Sequence, residues 1–319
     1  MARTRQLENA LEQIKIIGRL EELSDSDVMA LRKIVRGDQP VVIASATKLI
    51  VRYRLTQLLP DLSSTFERLL TNGASRDPSC KAKWVIANTL YQLEQPDADL
   101  FLSGIRHVQP EPVWGKTVDT APPLRSLCAL GLVQANYHSV MIELADLLAD
   151  KEHDARVGAA RAIGYSQNPA GIPLLRFKVH IGDAEPQVLS ECFISLLQLS
   201  ADQAPIVVNA LETGNEQIQE LAALALGESR IPAAFAAIKS RWQRTRDAEL
   251  RASFLLAIAT LRTDESIQFL TTQLEHGNLP DAKDALIALN IFRHTTEIWQ
   301  QVDSIVQFRK EPTLINMIR

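Results

Sequence analysis

Ala155-Arg-Val-Gly-Ala-Ala-Arg-Ala-Ile-Gly164 is the stretch of this 319-residue chain that indicates its architecture most directly. Small or apolar residues fill its fifth, sixth, eighth and ninth positions, which form one stripe along an α-helix. Similar ten-residue segments begin at positions 122, 155, 188, 218 and 250, so successive starts are 33, 33, 30 and 32 residues apart. A nearly fixed period of this length is typical of a solenoid built from repeated structural units.

Each repeat is predicted to be a hairpin of two helices, A and B. The ten-residue segment lies in the second helix, B, and helix A precedes it in the sequence. Weaker copies of helix B begin at positions 41 and 80, and a last copy begins near position 281. Together the copies predict about eight hairpins. The glycines that close the clearest copies suit left-handed C-caps: Gly131, Gly164 and Gly227.

The two ends of the array are predicted to be capped, because terminal units of a solenoid need a polar outer face. An amphipathic capping helix is expected over residues 5–22, within an N-terminal cap at 5–29. Repeats are expected over residues 30–295, with an inserted loop at 107–121, and a C-terminal cap over 296–319. The sequence therefore predicts a single domain over residues 1–319.

The repeated segment resembles the HEAT repeat, and in particular the short HEAT-like repeats of the phycobilisome-lyase type. The resemblance covers roughly residues 30–300 and is strongest between residues 122 and 227. It implies an all-α chain folded as an α-solenoid, a right-handed superhelix of helical hairpins. It implies little about activity, because the family includes scaffolds, lyase subunits, chaperone-like binders and base-excision enzymes.

Composition narrows the classes of function. A net charge of −4 and a pI near 5.9 disfavour a general polyanion binder. The three cysteines form no CxxC pair, which indicates reduced thiols and a cytoplasmic location. An apolar signal core and a run of about 18 apolar residues are both missing, so no membrane partner is expected. The sequence shows no catalytic, cofactor or metal motif, and no such residue is assigned.

The longest step of the period lies between the copies at positions 80 and 122, which are 42 residues apart. The extra length falls between helices A and B of the third unit. Pro110 and Pro112 exclude a helix there and favour an extended segment, and Gly115 permits a sharp turn. Insertions in solenoids lie on one edge, which often binds partners. This loop and its flank supply the candidate partner-binding residues: His107, Glu111, Trp114, Lys116, Asp119 and Arg125.

Trp114 is the predicted apolar anchor for a partner, with Glu111, Lys116 and Asp119 as polar contacts. Structural roles for the same side chains stay open. In this alternative, the Trp114 ring packs back onto the helices, Asp119 caps the next helix and His107 caps the preceding one. These roles would explain the presence of the three residues as well as contacts to a partner would. A metal site of His107, Glu111 and Asp119 lacks a recognised ligand spacing.

A second cluster, residues 239–246, carries four cations, no acid and Trp242. Its cations suit phosphate groups while Trp242 stacks on a base. They equally suit the C-terminal end of a helix A whose Trp242 packs inward.

Cations at the second position of several B segments suggest an internal polar ladder between neighbouring turns. Arg156, Arg251 and Lys81 are the predicted members, each shortly after an aspartate. Arg125 is less clearly tied to such a ladder and is assigned to the concave side instead.

The leading hypothesis is a non-catalytic scaffold or adaptor that binds a protein partner on the concave B-helix face and the 107–121 loop. The alternative is a HEAT-like enzyme that binds DNA or excises bases, or a bilin-lyase-like subunit. A base-excision site would draw on Trp84, Trp114, Arg125 and Asp119. Self-association through an exposed end is a third hypothesis.

Overall fold

The computed structural model describes residues 2–95 and 97–318. In this part of the chain, twenty α-helices and one two-stranded antiparallel sheet follow one another. The chain divides into two compact units, Met1–Ser166 and Gln167–Arg319, and each is described by itself. Consecutive helices pack on one another within each unit, so the predicted all-α solenoid is confirmed. A single domain over the whole chain remains a prediction.

The first unit contains ten helices and the two strands, in the following order: α1 (Ala2–Ile17), α2 (Asp25–Val35), α3 (Pro40–Arg52), α4 (Leu59–Leu70), α5 (Gly73–Arg76), α6 (Lys81–Gln92), α7 (Ala98–Ile105), β1 (Pro110–Val113), β2 (Lys116–Asp119), α8 (Pro122–Gln134), α9 (Val140–Leu148) and α10 (His153–Tyr165).

The second unit contains the other ten helices, in the following order: α11 (Ile172–Ile181), α12 (Pro186–Leu199), α13 (Ala204–Thr213), α14 (Glu216–Glu228), α15 (Ala234–Arg244), α16 (Ala248–Leu261), α17 (Asp264–His276), α18 (Leu279–Leu289), α19 (Thr296–Arg309) and α20 (Pro312–Ile318).

Eight A–B hairpins are present among the described residues, and their B helices are α3, α6, α8, α10, α12, α14, α16 and α18. In the first unit α3 packs on α6, α6 on α8 and α8 on α10. In the second unit α12 packs on α14, α14 on α16 and α16 on α18. The stripe residues Ala159, Ala160, Ala162 and Ile163 are all fully buried. The repeat pattern therefore predicted both the number of hairpins and the face that each B helix buries.

The closing glycines of the repeat are not C-caps, and that prediction is wrong. Helices α8, α10 and α14 continue through Gly131, Gly164 and Gly227. A Cβ on Gly131 would overlap the ring of Phe101, and one on Gly227 would overlap the hydroxyl of Thr260. Gly131 and Gly227 are explained by the close approach of a neighbouring helix rather than by a left-handed turn.

The N-terminal capping helix is shorter than the predicted 5–22, because α1 ends at Ile17. Side chains of α3 and its C-cap bind the backbone carbonyls just after α1. Arg52 donates to the carbonyl of Gly18 at 2.6 Å, and the Tyr53 hydroxyl donates to the carbonyl of Leu20 at 2.6 Å. A separate helix, α2, then begins after its N-cap, Ser24. At the other end, α19 and α20 occupy the segment predicted as the C-terminal cap.

The predicted polar ladder is present in part. Arg251 donates from Nη2 to Asp281 at 2.7 Å, which joins two successive B helices. Arg156 donates from Nη1 to the carbonyls that precede its own helix, at 2.9 Å. Lys81 is exposed, so its predicted place in the ladder is wrong, and the buried cation of α6 is Lys83.

The three cysteines are free and buried: Cys80, Cys128 and Cys192. Among the helices described for residues 2–95 and 97–318, none combines the length and apolar content that a bilayer span needs.

Candidate functional site

The insertion between α7 and α8 folds as a β-hairpin, in which Val113 lies opposite Lys116. The two turn residues, Trp114 and Gly115, both have positive φ, at 47° and 79°. Two such residues give the tight turn that matches the twist of paired strands. The predicted extended segment and the sharp turn at Gly115 are confirmed. Trp114 is unusual in this place, because a bulky side chain in the left-handed region costs about 1–2 kcal/mol.

The tip of the hairpin is exposed and apolar. Trp114 is 98% exposed, so the alternative in which its ring packs back onto the helices is wrong. Val113 and Val118 are exposed on the two strands that lead to this turn, and Lys116 adds one positive charge. Large apolar groups gathered on a surface are typical of interaction sites. We call these four residues, Trp114, Val113, Val118 and Lys116, the hairpin tip.

The base of the hairpin is polar and partly buried, and the buried Gln109 lies at its centre. The Gln109 side chain donates from Nε2 to the Asp77 carbonyl at 2.9 Å and to Glu111 Oε1 at 2.7 Å. Its Oε1 lies 3.1 Å from Nε2 of His107. Burial lowers the pKa of His107, and the hydrogen bond with Gln109 offsets this only in part. His107 therefore joins the base of the hairpin and is not the predicted cap of α7.

Glu111 ties β1 to the segment that precedes α6. Its Oε1 accepts hydrogen bonds from the backbone N–H of Ser79 and from the hydroxyl of Thr120, each at 2.7 Å. Burial alone would raise the pKa of Glu111, but these bonds and the one from Gln109 together lower it. The carboxylate is therefore ionised at neutral pH, and from its half-buried position it holds the hairpin to the segment before α6.

Asp119 and Arg125 hold the other strand. Asp119 Oδ2 accepts from Arg125 Nη1 at 2.6 Å, and its Oδ1 accepts from the backbone N–H groups of Gln109 and Ala121. Burial would raise the pKa of Asp119, but these bonds lower it. Arg125 also donates from Nη2 to Asp150 at 3.0 Å, so it links the hairpin to the turn before α10. Arg125 is thus a ladder residue, contrary to the sequence interpretation.

Asp77 and Lys83 form a second buried ion pair below the hairpin, with Nζ 3.2 Å from Oδ2 and both side chains fully buried. Asp77 also accepts the N–H groups of Ala82 and Lys83, and so caps α6. Gly73 lies so close to Gln109 that a Cβ there would overlap its side-chain oxygen. Sequence reasoning missed Lys83 and Gln109; the signal available for Lys83 was a lysine between Ala82 and Trp84 within the B segment.

The six predicted site residues therefore divide into two groups. Trp114 and Lys116 lie at the tip, and the other four form the base: His107, Glu111, Asp119 and Arg125. Asp119 is not the N-cap of α8, because Ala121 occupies that position. Within residues 2–95 and 97–318, no group of three or more His, Cys, Asp or Glu side chains is arranged to hold a metal ion.

A cleft of about 1080 Å³ lies in the first unit beside the base of the hairpin. Its walls come from α3, the end of α4, residues 75–80, α6 and the start of α8. Trp84, which is 38% exposed, supplies its aromatic surface. Thr120 and Pro123 belong to its wall, so the cleft adjoins the hairpin. We call this cavity the basic cleft, for the lysines and arginines among its lining residues: Lys48, Arg68, Arg76 and Lys81.

The second cationic cluster, residues 239–246, is not a stacking platform. Trp242 is buried, and its ring lies edge-on to Phe269 with the guanidinium of Arg251 above it. Arg244 pairs with Glu212 at 2.6 Å. The inward-packed interpretation of Trp242 is confirmed.

Comparisons with known proteins leave the family open. No family model and no curated protein matches this sequence. Among solved structures, the CpcE–CpcF complex of phycocyanin lyase from Nostoc shares 17% identity with a TM-score of 0.41, over 75% of this chain and 94% of that chain. YibA of Escherichia coli shares 15% with a TM-score of 0.47, over 89% and 96%. Human deoxyhypusine hydroxylase, in complex with glycerol, shares 15% with a TM-score of 0.32, over 84% and 96%. These values are too low to carry function, and membership of the HEAT family remains a prediction.

Proposed function

We propose that this protein is a non-catalytic scaffold or adaptor that binds a protein partner through the hairpin tip. The observation that carries the proposal is the exposure of Trp114, 98%, at the end of a hairpin whose base is hydrogen-bonded to the surrounding helices and turns. Burying a large aromatic side chain is worth about 2–3 kcal/mol, and Trp is among the residues that dominate binding energy. A partner that covers the tip recovers this free energy.

The anchoring of the hairpin supports the same role. Its two strands are tied to the segment before α6 and to α8 through Glu111 and Asp119, and each carboxylate accepts three hydrogen bonds. A loop held in one conformation loses little entropy on binding, which raises affinity. The positive φ of Trp114 supports the same role. A strained backbone conformation persists only where the surrounding structure holds it in place, and such residues cluster at functional sites.

The alternative base-excision role is less well supported. Its candidates Arg125 and Asp119 are bound to each other, and their side chains are 3% and 11% exposed. The thiol of Cys80, close to the same network, is buried, and burial raises its pKa to about 12. Such a thiol stays protonated at neutral pH and is a poor nucleophile. The concave B-helix face and the cytoplasmic location remain further parts of the proposal.

Affinity capture from the cells that make the protein tests the role of the tip. Wild type, Trp114→Ala and Phe308→Ala are immobilised side by side; Phe308 is a matched control, 80% exposed in the second unit. We expect wild type and Phe308→Ala to retain a partner that Trp114→Ala loses, with a Kd for the purified partner weakened about 30-fold. Helicity and melting temperature should be unchanged. Capture of the same proteins by all three would contradict the proposal.

A further inference from the structure

The basic cleft carries charge opposite to that of the whole chain. The chain has a net charge of −4, whereas four cations and two acids line the cleft. Both acids are already neutralised. Asp38 pairs with Arg68, and Asp77 pairs with Lys83, which is buried behind the wall.

Three of the cations have no acidic partner among the described residues: Lys48, Arg76 and Lys81. The Arg76 side chain donates only to the backbone carbonyl of Arg68, at 2.9 Å. Lys48 and Lys81 are exposed, and their side chains make no hydrogen bond or ion pair within residues 2–95 and 97–318. Because α3 packs on α6, these two lysines lie on neighbouring walls of the cleft. The cleft therefore attracts a ligand with several negative charges.

Exposed apolar side chains also line the cleft beside the lysines. Trp84 follows Lys81 by one helical turn on α6, and Val41 is 62% exposed on α3. A simple anion would leave this surface uncovered. A ligand that alternates carboxylates with apolar side chains covers both kinds of surface.

The position of the cleft favours a peptide segment over a small molecule. Its volume of about 1080 Å³ lies at the upper end of the roughly 300–1,000 Å³ that is usual for small-molecule pockets, and the hairpin adjoins it. Thr120, which hydrogen-bonds to Glu111 in the hairpin, also lines the cleft. A chain that covers the hairpin can therefore continue into the cleft without crossing another element.

We infer that an acidic segment of the partner lies in the basic cleft, with carboxylates at Lys48 and Lys81 and an apolar side chain on Trp84. The inference rests on the proposed function, because it assigns the segment to the partner that the hairpin tip recruits. It adds the chemistry of that partner: acidic and apolar residues in alternation.

The test uses the full-length protein and a fluorescein-labelled twelve-residue peptide that repeats Glu-Asp-Phe-Gly, read by fluorescence anisotropy. A second peptide carries Gln and Asn in place of the acids. Lys48→Glu/Lys81→Glu removes the attraction, and Lys48→Arg/Lys81→Arg keeps the charge. Lys33→Glu/Lys151→Glu is the matched control, since both lysines are exposed in the first unit outside the cleft.

We expect the wild type to bind the acidic peptide saturably. The Lys48→Glu/Lys81→Glu protein should bind this peptide about tenfold more weakly, and the wild type should bind the neutral peptide about tenfold more weakly. The arginine variant and the matched control should stay within about twofold of wild type. Carbodiimide, which joins amines to carboxylates, should link the bound acidic peptide to Lys48 or Lys81 in the wild type.

Three results would overturn the inference: no binding of the acidic peptide, equal weakening by the matched control, or displacement of the peptide by AMP or duplex DNA at lower concentration than by unlabelled peptide. A failure of the proposed function looks different. In that case Trp114→Ala keeps its captured proteins while the acidic peptide still binds at the lysines. If the acidic peptide does not bind but Trp114→Ala loses the captured partner, the proposed function stands and only the acidic segment in the basic cleft is overturned.

Discussion

Arg125 Nη1 lies 2.6 Å from Oδ2 of Asp119, and the two side chains are only 3% and 11% exposed. This ion pair joins the first turn of α8 to the end of β2. It therefore converts an inserted loop into a fixed part of the first unit. Removal of one partner leaves the other charge buried and unpaired, which costs far more than the loss of a surface ion pair.

Arg125→Ala should lower the free energy of unfolding by about 3–5 kcal/mol, because Asp119 and Asp150 lose their common cation. Arg244→Ala is the matched control, since its pair with Glu212 is 53% and 31% exposed and is worth at most about 1 kcal/mol. Urea unfolding measures both values. Similar losses in the two variants would show that the Arg125 pair does not anchor the hairpin.

Gly131→Ala should destabilise the protein, although helix propensity alone predicts a gain of about 0.5–1 kcal/mol at a position inside a helix. The added methyl group overlaps the ring of Phe101, and forced overpacking costs about 1–3 kcal/mol. Thermal or urea unfolding decides the sign. A more stable variant would contradict the close approach of α7 and α8.

Stability should fall as the pH drops below about 6.5, the pKa of an unperturbed histidine, because burial lowers the pKa of His107 in the folded state. In that window the unfolded chain takes up a proton that the folded protein binds less well. His107→Gln should remove this part of the pH dependence, whereas His294→Gln, at an exposed position, should keep it. Urea unfolding at pH 7.5 and 5.5 measures the difference, and identical slopes for wild type and His107→Gln would refute the assignment.

Glu111 and Asp119 should add a second loss of stability at lower pH. Both pKa values lie below their usual range in the folded protein, so their contribution is present above the unfolded values of about 4.3 and 3.9. It disappears as the pH falls through the folded values. Glu111→Gln should be less stable than wild type at pH 7 and should approach it near pH 2. A constant difference across that range would contradict the role of the Glu111 carboxylate.

Binding to a labelled DNA duplex should be weaker than a Kd of about 100 µM at physiological salt, because non-specific binders use many phosphate contacts and this chain is acidic. A salt series with wild type and Trp84→Ala measures it. Tight binding with a steep salt dependence, lost in Trp84→Ala, would favour the base-excision hypothesis over the scaffold.

Much of the fold follows from local sequence signals. The Ala and Leu stripe of the B helices is a pattern at helical spacing, and its recurrence every 30–33 residues from position 122 onward predicts hairpins that cover one another. Pro110 and Gly115 act on their own backbone, so the extended segment and the turn were predictable as well.

Only the tertiary structure decided what the polar residues do. Glu111, Asp119 and Arg125 have the composition of a contact surface, yet hydrogen bonds to Ser79, Gln109 and Asp150, distant in the sequence or across the loop, place them at the base of the hairpin. Periodicity follows from the geometry of a single helix. The burial of a charge depends on which partners the neighbouring helices bring to it, and that is settled only when they pack.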